Sequence, residues 1–440
     1  MNRTIVVAGA GILLAAAGLG SWQAKNGKTD TTPMNALAER YVKTVLALGQ
    51  HDSDYVDAYY GPPEWKHEAD ARYNTKVALD AIAAQAGAVR ADLAKLAPAS
   101  EEISRLRQQY LDRQLAALEA RVRIIRGERL SFDTESRALY DAVAPTVPAA
   151  HFQQILDTLD KRFPGQGSLA ARYDAWRRPF VIPREKLDGV FQTAIKACRE
   201  RTLKHVTLPA SETFTVEYVT NKSWSGYNWY QGDYRSLIQV NTDLPIYVDR
   251  AIDLACHEGY PGHHVYNALL EKHLVSDRGW VEFTVYPLFS PQSLIAEGTA
   301  NYGIEVAFPG RERVEFERTV LFPAAGLDPS KAAEYYEVQT LVDTLAYAGN
   351  EAARAYLDDR ISAADAAAYL ERYAMYSPER AKQRVRFMDQ YRSYVINYNL
   401  GKDMVRRYIE SRGGTADSPA RRWEEFERLL SSPRLPSGLQ

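Results

Sequence analysis

Apolar residues recur three and four positions apart along most of the first third of the chain. The pattern is clearest in "MNALAERYVKTVLAL", "VALDAIAAQAGAVRADLAKLA" and "EEISRLRQQYLDRQLAALEARVRII", all within 34–128. This spacing puts apolar side chains on one face of a helix, so it predicts helices that pack through that face. The Gly-Pro-Pro of "YYGPPEW" cannot continue a helix and separates the first two. Further helices are predicted over 149–163 and 184–205.

The pattern changes near position 213. There "TFTVEYV" alternates, and "SLIQVNTD" at 236–243 is rich in strand-forming residues and ends in turn residues. The aromatic "WSGYNWYQGDY" is interpreted as a link between these two strands. Helical spacing resumes after Pro245. We therefore predict a mainly α-helical protein with one small β-sheet just before a histidine-rich segment at 257–273.

The N-terminal residues differ from the rest of the chain. Arg3 precedes an apolar run at 5–20, and a polar segment follows. This order predicts a secretory signal peptide over 1–22, with an uncleaved N-terminal membrane anchor as the alternative. The organisation predicted after it is a linker at 23–33, a helical region at 34–210, a catalytic region containing the sheet at 211–412, and a C-terminal tail at 413–440.

Composition narrows the classes of function. Of the 440 residues, 46% are hydrophobic and 25% are charged, which is typical of a folded globular protein. The formal net charge is -2, and no nucleic-acid partner is expected because such binders usually carry a strong basic bias. Cys198 and Cys256 are the only cysteines, so the sequence predicts no disulfide framework and favours two buried thiols over one bridge.

The motif "HEGYPGHH" belongs to a segment that holds four of the eight histidines, His257, His263, His264 and His273. In zinc-hydrolase helices, two histidines four positions apart bind the metal. Here that second position is Pro261. A two-residue helix bulge at Pro-Gly would bring His263 to the ligand face, so His263 is the favoured ligand and His264 the alternative. Structural histidines on a kinked helix are the competing interpretation.

A second segment offers a third ligand. Glu297, in "LIAEGTANYGIE", follows the first histidine by 40 residues on a stretch with helical spacing. If it faces the histidines, it completes a two-His, one-Glu site for one zinc ion; a surface position is the alternative. Asn301 lies four residues later on the same face and is predicted to orient a ligand histidine through its free ring nitrogen.

The motifs "HEGYPGHH", "AEGTANY", "YRSYVINYNLGK" and "YYGPPEW" resemble those of domain-of-unknown-function family 885, a group of bacterial and often exported proteins. The resemblance covers roughly 34–412. It implies a mostly helical, zinc-peptidase-like fold of the gluzincin type. It also implies that His257, His263 and Glu297 are the metal ligands and that Glu258 is the general base.

The chemistry expected of such a site is hydrolysis of an amide bond. Zinc lowers the pKa of a coordinated water, and Glu258 would take the proton and pass it to the departing amine. A tyrosine hydroxyl is a suitable extra donor to the developing oxyanion because it adds no charge. Tyr398 is the candidate by its place in the family-like motif. Arg392 and Tyr394 are weaker candidates that are expected on a helix surface.

The sheet before the motif suggests a substrate groove. An exposed edge such as "SLIQVN" can pair with an extended peptide, and Tyr227, Trp229 and Tyr230 are predicted to line that groove. Packing of these aromatic side chains in the core is the alternative.

We therefore expect an exported zinc-dependent peptidase, periplasmic or extracellular, that acts on a peptide or another amide and has no stable membrane association after signal removal. One alternative is a catalytically silent helical envelope protein that keeps a relic metal site and works by binding a partner. Another is a metal hydrolase of a non-peptide amide or ester, which would use the same residues.

Overall fold

The computed structural model describes residues 32–72 and 76–439. The predicted signal peptide and nearly all of the predicted linker therefore lie outside the described residues. Within the described part of the chain, no helix is both long and apolar enough to cross a membrane.

The fold is mainly α-helical, as predicted, and the described residues also form two small sheets. The helices before the larger sheet are α1 Pro33–Gly49, α2 Pro63–Ala71, α3 Leu79–Leu93, α4 Glu102–Ile125, α5 Phe132–Tyr140, α6 Ala149–Arg162, α7 Leu169–Arg177 and α8 Leu187–Thr202. The helices after it are α9 Asp249–Leu254, α10 His263–Leu270, α11 Pro291–Ala307, α12 Arg311–Phe316, α13 Phe322–Ala325, α14 Ala332–Asp343, α15 Ala348–Leu357, α16 Ala363–Tyr373, α17 Pro378–Tyr391, α18 Ile396–Ser411 and α19 Pro419–Leu430.

Local signals explain where several helices begin. Proline occupies the first turn of α1, α2, α11 and α17, where its missing amide costs no helical hydrogen bond. Ser377 caps α17 by accepting a hydrogen bond from the amide of Arg380 at 3.3 Å. At α16, Ser362 and Asp365 form a reciprocal capping box.

The larger sheet has three strands, β2 Thr213–Val219, β3 Gly226–Gly232 and β4 Arg235–Asn241. Their order is β2-β4-β3, with β4 parallel to β2 and antiparallel to β3. Two expectations were therefore wrong: the aromatic link forms the strand β3, and "SLIQVN" lies in the central strand rather than at an edge. The physical reason is a tight reversal at Asp233 and Tyr234, whose φ angles of 51° and 60° let β3 turn directly into β4.

A second, two-stranded sheet connects distant parts of the chain. The strands β1 Val56–Tyr59 and β5 Val285–Pro287 pair antiparallel. The pairing joins the predicted helical region at 34–210 to the predicted catalytic region at 211–412. The two regions therefore contact each other through this sheet.

The helices α11 and α18 cross at a pair of glycines. A Cβ on Gly298 would lie 2.5 Å from the carbonyl carbon of Gly401, and a Cβ on Gly401 would lie 2.8 Å from the carbonyl oxygen of Leu294. Any larger side chain would push the backbones apart. The crossing fixes α11 relative to the segment that leads into α18.

The predicted C-terminal tail, 413–440, is described as far as residue 439. It contains α19, whose buried side chains are Arg422, Trp423, Glu425, Phe426, Leu429 and Leu430. Phe426 packs edge-on against Tyr302 of α11 with ring centroids 6.2 Å apart. The apolar spacing along α19 is that of a helix that buries one face, so it belongs to the core.

A disulfide joins Cys198 of α8 to Cys256, the residue before His257. The expectation of two buried thiols was therefore wrong. The reason lies in the fold, because α8 packs beside the turn that carries Cys256 and brings two residues 58 positions apart into bonding distance.

We predict that the double variant Cys198→Ser, Cys256→Ser loses about 2–4 kcal/mol of unfolding free energy, because the cross-link restricts the unfolded chain. Denaturant titration of the oxidised protein and of the variant measures this difference. Reduced wild-type protein should match the variant. Equal stability of oxidised and reduced protein would contradict the prediction.

Candidate metal centre

The histidine-rich segment is a helix that breaks and restarts. After α9 the chain widens into a π turn over Ala255–Gly259, becomes extended at Tyr260, and enters α10 at His263. The Gly262 amide donates to the carbonyl oxygen of Cys256 at 2.9 Å. A Cβ on Gly262 would lie only 1.8 Å from the carbonyl oxygen of His257, so only glycine allows this approach. The predicted bulge is thus a complete break, because proline and the extended Tyr260 stop the helix.

Three ligand atoms converge across this break. The Nε2 atoms of His257 and His263 lie 3.2 Å apart. The Oε2 atom of Glu297, on α11, lies 3.3 Å from the first nitrogen and 3.7 Å from the second. These three side chains form the one group of candidate metal ligands found among the described residues.

The arrangement fits a tetrahedral metal ion. Ligand atoms about 2.0–2.1 Å from zinc are separated by about 3.3 Å when the geometry is tetrahedral. The three measured separations are 3.2, 3.3 and 3.7 Å. In addition, the Glu297 Oε2 atom is buried and has no hydrogen-bond partner. A buried carboxylate oxygen without a partner is costly unless a cation occupies the point it faces.

Glu297 is held in place by Tyr394. The Tyr394 hydroxyl donates to Oε1 of Glu297 at 2.8 Å, which leaves Oε2 to face the histidines. Burial acts to raise the pKa of Glu297, but the two imidazoles that face it, those of His257 and His263, hold that pKa well below its usual value. Tyr394 is only 5% exposed, so its expected place on a helix surface was wrong. It lies in a turn before α18, where it points inward against the ring of Tyr140.

Glu258 lies beside the cluster. It is buried, and its backbone carbonyl accepts a hydrogen bond from the Asn228 side chain at 2.8 Å. A Cβ on Gly226 of β3 would lie 2.6 Å from Oε1, so this glycine leaves the room that the carboxylate needs. Burial raises the pKa of Glu258. The charges of His257 and His263 oppose this shift, and the charge of Glu297 adds to it. A carboxylate with a raised pKa is suited to accepting and returning a proton.

His264 faces away from the cluster. Its Nε2 lies 3.0 Å from Oε2 of Glu212, and its Nδ1 lies 2.9 Å from the hydroxyl of Ser236. Glu212 also accepts hydrogen bonds from Tyr260 and Arg199. Successive helical residues point about 100° apart, so when His263 faces Glu297 its neighbour faces the core. The structure therefore does not bring His264, the alternative ligand, to this site.

Asn301 does not reach a ligand histidine either. Its side-chain amide donates to the carbonyl oxygen of Glu297 in the same helix at 2.9 Å. A side chain four residues later can bond back to its own helix, and this local bond replaces the predicted contact with an imidazole.

Tyr398 stands next to Tyr394, and the two ring centroids are 5.8 Å apart. Within the described residues, its hydroxyl has no hydrogen-bond partner. Burial raises its pKa well above the usual value, and the charges of Glu297 and Glu258 add to that shift while Arg384 opposes it. The Tyr398 hydroxyl is therefore protonated, free to donate, and close enough to both carboxylates to feel their charge.

The three predicted groove residues occupy different environments. Trp229 is 46% exposed on the outer face of β3. Tyr227 is partly buried and stacks on Trp224 with ring centroids 5.5 Å apart. Tyr230 is 1% exposed and donates to Glu271 at 2.6 Å, so it is a core residue and not part of a groove. Strand alternation explains the difference, since Tyr230 points to the opposite face from Trp229.

Sequence reasoning missed Asp57. This residue of β1 accepts a hydrogen bond from the Tyr227 hydroxyl at 2.7 Å. Its pKa is raised to about 6, mainly by burial. The charges of Glu297 and Glu258 add to this shift, and Tyr227 and His263 oppose it. It therefore belongs to the surroundings of the cluster. A strand of four residues far away in sequence carries no periodic signal, so only the β1–β5 pairing reveals this position.

Comparisons with known proteins support the fold. No family model matches the sequence, and no relative is found among curated proteins. The resemblance to domain-of-unknown-function family 885 stays a prediction. Among solved structures, a "putative lipoprotein from Colwellia psychrerythraea" matches with a TM-score of 0.51 and 15% identity over 85% of this chain and 71% of that chain.

Two further structures match with lower scores. A "putative lipoprotein of unknown function from Shewanella oneidensis" has a TM-score of 0.47 and 12% identity, over 95% of this chain and 89% of that one. The structure of BsuCP has a TM-score of 0.46 and 11% identity, over 92% and 89%. At these identities the likeness concerns the fold alone.

The His264 contacts generate a stability prediction. His264→Ala should lower the unfolding free energy by about 2–4 kcal/mol, because it removes the buried contacts with Ser236 and Glu212 and opens a cavity. Denaturant titration measures the loss. His273→Ala is the matched control, since this histidine is 43% exposed and its removal should change stability by less than about 0.5 kcal/mol. Equal effects of the two substitutions would refute the core role of His264.

A second prediction concerns Tyr394. Tyr394→Phe removes the hydrogen bond to Glu297 and should weaken zinc affinity about 10- to 100-fold, because the carboxylate loses the group that orients it. Competition with a chromogenic chelator measures the affinity. Tyr140→Phe is the control, since that buried hydroxyl has no hydrogen-bond partner although its ring packs against Tyr394. An unchanged affinity in Tyr394→Phe would remove Tyr394 from the site.

Proposed function

We propose that this protein is a zinc-dependent hydrolase whose substrates are peptides or related amides. The observation that carries the proposal is the convergence of two imidazole nitrogens on a buried carboxylate oxygen without a hydrogen-bond partner. Two histidines, one glutamate and an open fourth position are the usual ligand set of a catalytic zinc site, whereas structural zinc sites close with four protein ligands. His257, His263 and Glu297 would hold the ion.

A zinc ion held by these three side chains would supply a Lewis acid that lowers the pKa of water towards about 7. Glu258 would accept a proton at this site, since its buried carboxylate is close enough to His257, His263 and Glu297 for their charges to shift its pKa. Its raised pKa favours return of the proton to a leaving amine. Glu258 therefore serves as base and then as acid.

Tyr398 is the proposed donor to the negative charge that develops on the substrate oxygen. Its hydroxyl is free, whereas that of Tyr394 is engaged by Glu297. A neutral donor of this kind stabilises an oxyanion without adding charge to the ground state. The two neighbouring tyrosines thus have different roles: Tyr394 positions a ligand and Tyr398 contacts the substrate.

We also propose that the protein is exported. The sequence of 1–22 has the order of a secretory signal, and the Cys198–Cys256 disulfide is of a kind that persists in oxidising compartments. The name of the structure from Colwellia psychrerythraea, a putative lipoprotein, agrees with an envelope location but describes that protein only.

Metal content and turnover test the proposed function together. Purified protein should contain about one zinc equivalent by mass spectrometry, and Glu297→Ala should lose it. Glu258→Gln should keep the zinc and lose at least about 100-fold in hydrolysis of a mixed peptide library, because it removes the proton acceptor but no ligand. His264→Ala should keep the zinc, whereas His263→Ala should lose it.

The same measurements separate the alternative functions. A protein that binds zinc but cleaves neither peptides nor simple amides and esters would be a partner-binding protein with a relic site. Cleavage of esters or non-peptide amides alone would keep the mechanism and change the substrate. Full activity of Glu258→Gln would contradict the proposed mechanism.

A further inference from the structure

Three arginines gather beside the candidate metal centre. Arg380 and Arg384 come from α17, and Arg250 comes from α9. The Arg380 guanidinium lies 4.7 Å from the centroid of the Tyr376 ring. Burial acts to raise the pKa of Tyr376, but the charges of Arg380, Arg384 and Arg250 lower it below its usual value. The nearby buried tyrosines Tyr394 and Tyr398 instead have raised pKa values. All three cations therefore act on one small region.

Arg384 has no anionic partner in the described part of the chain. Its guanidinium lies over two aromatic rings, 4.6 Å from that of Phe387 and 5.5 Å from that of Tyr398. Its Nε is buried and makes no hydrogen bond. Cation–π contacts offset part of the cost of burying a cation, but they leave the N–H donors unused. Arg250, by contrast, pairs with Asp253 at 3.1 Å.

Arg384 is also close to the residues of the candidate metal centre. It contacts Tyr398, which packs against Tyr394, and Tyr394 donates to Glu297. An anionic group bound at Arg384 would therefore lie beside Tyr398, the proposed donor to the substrate oxygen.

We propose that Arg384, supported by Arg380 and Arg250, binds a carboxylate of the substrate. A planar guanidinium with unused donors beside apolar rings matches a carboxylate in shape and charge. Two sources share this chemistry, the free C-terminal carboxylate of a peptide and an acidic side chain near the cleaved bond. The inference rests on the proposed function, and it narrows the substrates of that site to those with an anionic group close to the cleaved bond.

The test measures binding without turnover. Glu258→Gln protein is titrated calorimetrically with N-acetylated tetra-alanine bearing a free C-terminus, with its C-terminal amide, and with amides that end in glutamate or glutamine. The free acid, the glutamate amide, or both should bind at least about tenfold more tightly than the neutral peptides. Tightening by the free acid alone identifies the C-terminal carboxylate as the source, and tightening by the glutamate amide alone identifies the side chain.

Variants of α17 assign the effect to Arg384. Arg384→Gln should abolish the preference for the anionic peptide and leave the weak binding of neutral peptides unchanged. Arg384→Lys should keep part of the preference. It allows the same binding measurement if Arg384→Gln does not fold. Arg386→Gln is the matched control, because this exposed arginine lies two residues away on the same helix. It should bind every peptide as the parent protein does.

Two results would overturn the inference. One is equal affinity for anionic and neutral peptides, including no binding of either, and the other is an equal loss of affinity for both classes in Arg384→Gln. Failure of the proposed function has a different signature. Absence of zinc or of turnover in the wild-type protein would refute the hydrolase, while a carboxylate preference that depends on Arg384 would still show the binding site.

Discussion

The candidate metal centre depends on one close backbone contact, the approach of Gly262 to the carbonyl of His257. Because position 262 has no side chain, the chain leaves the π turn at Gly259 and starts a new helix at His263. The break compensates for the absence of the usual four-residue spacing between the two histidines. It brings two histidines six positions apart into the proximity that a continuous helix gives to residues four apart. An alanine at position 262 could not fit without moving the backbone of His257.

Buried polar contacts then hold the surroundings of that break. On one side, His264 is fixed by Ser236 and by Glu212, which also engages Tyr260 and Arg199. On the other, the glycine crossing of α11 and α18 holds the helix of Glu297 beside the turn that carries Tyr394. The histidine segment and the helix of Glu297 thus each pack against a supporting element. Contacts of this kind orient side chains that are candidates for binding a metal.

Sequence patterns predicted the features that depend on local spacing. Helical periodicity marked most helices, and the pattern of "HEGYPGHH" followed by Glu297 indicated the residues that converge. The same patterns missed what depends on distant contacts: the strand β3 within an aromatic-rich link, the inward position of Tyr394, and the place of Asp57. Pairing of Cys198 with Cys256 likewise follows from the packing of α8, which no local spacing encodes. The orientation of Asn301 shows the reverse case, in which a local hydrogen bond replaced a predicted long-range one.

The most direct test of the central claim is a crystal structure of the zinc-loaded protein with anomalous data collected on both sides of the zinc absorption edge. The account predicts one strong anomalous peak about 2.0–2.2 Å from Nε2 of His257, Nε2 of His263 and Oε2 of Glu297, with no protein atom at the fourth position. A peak on His264, a fourth protein ligand that closes the site, or no peak near these three atoms would contradict it.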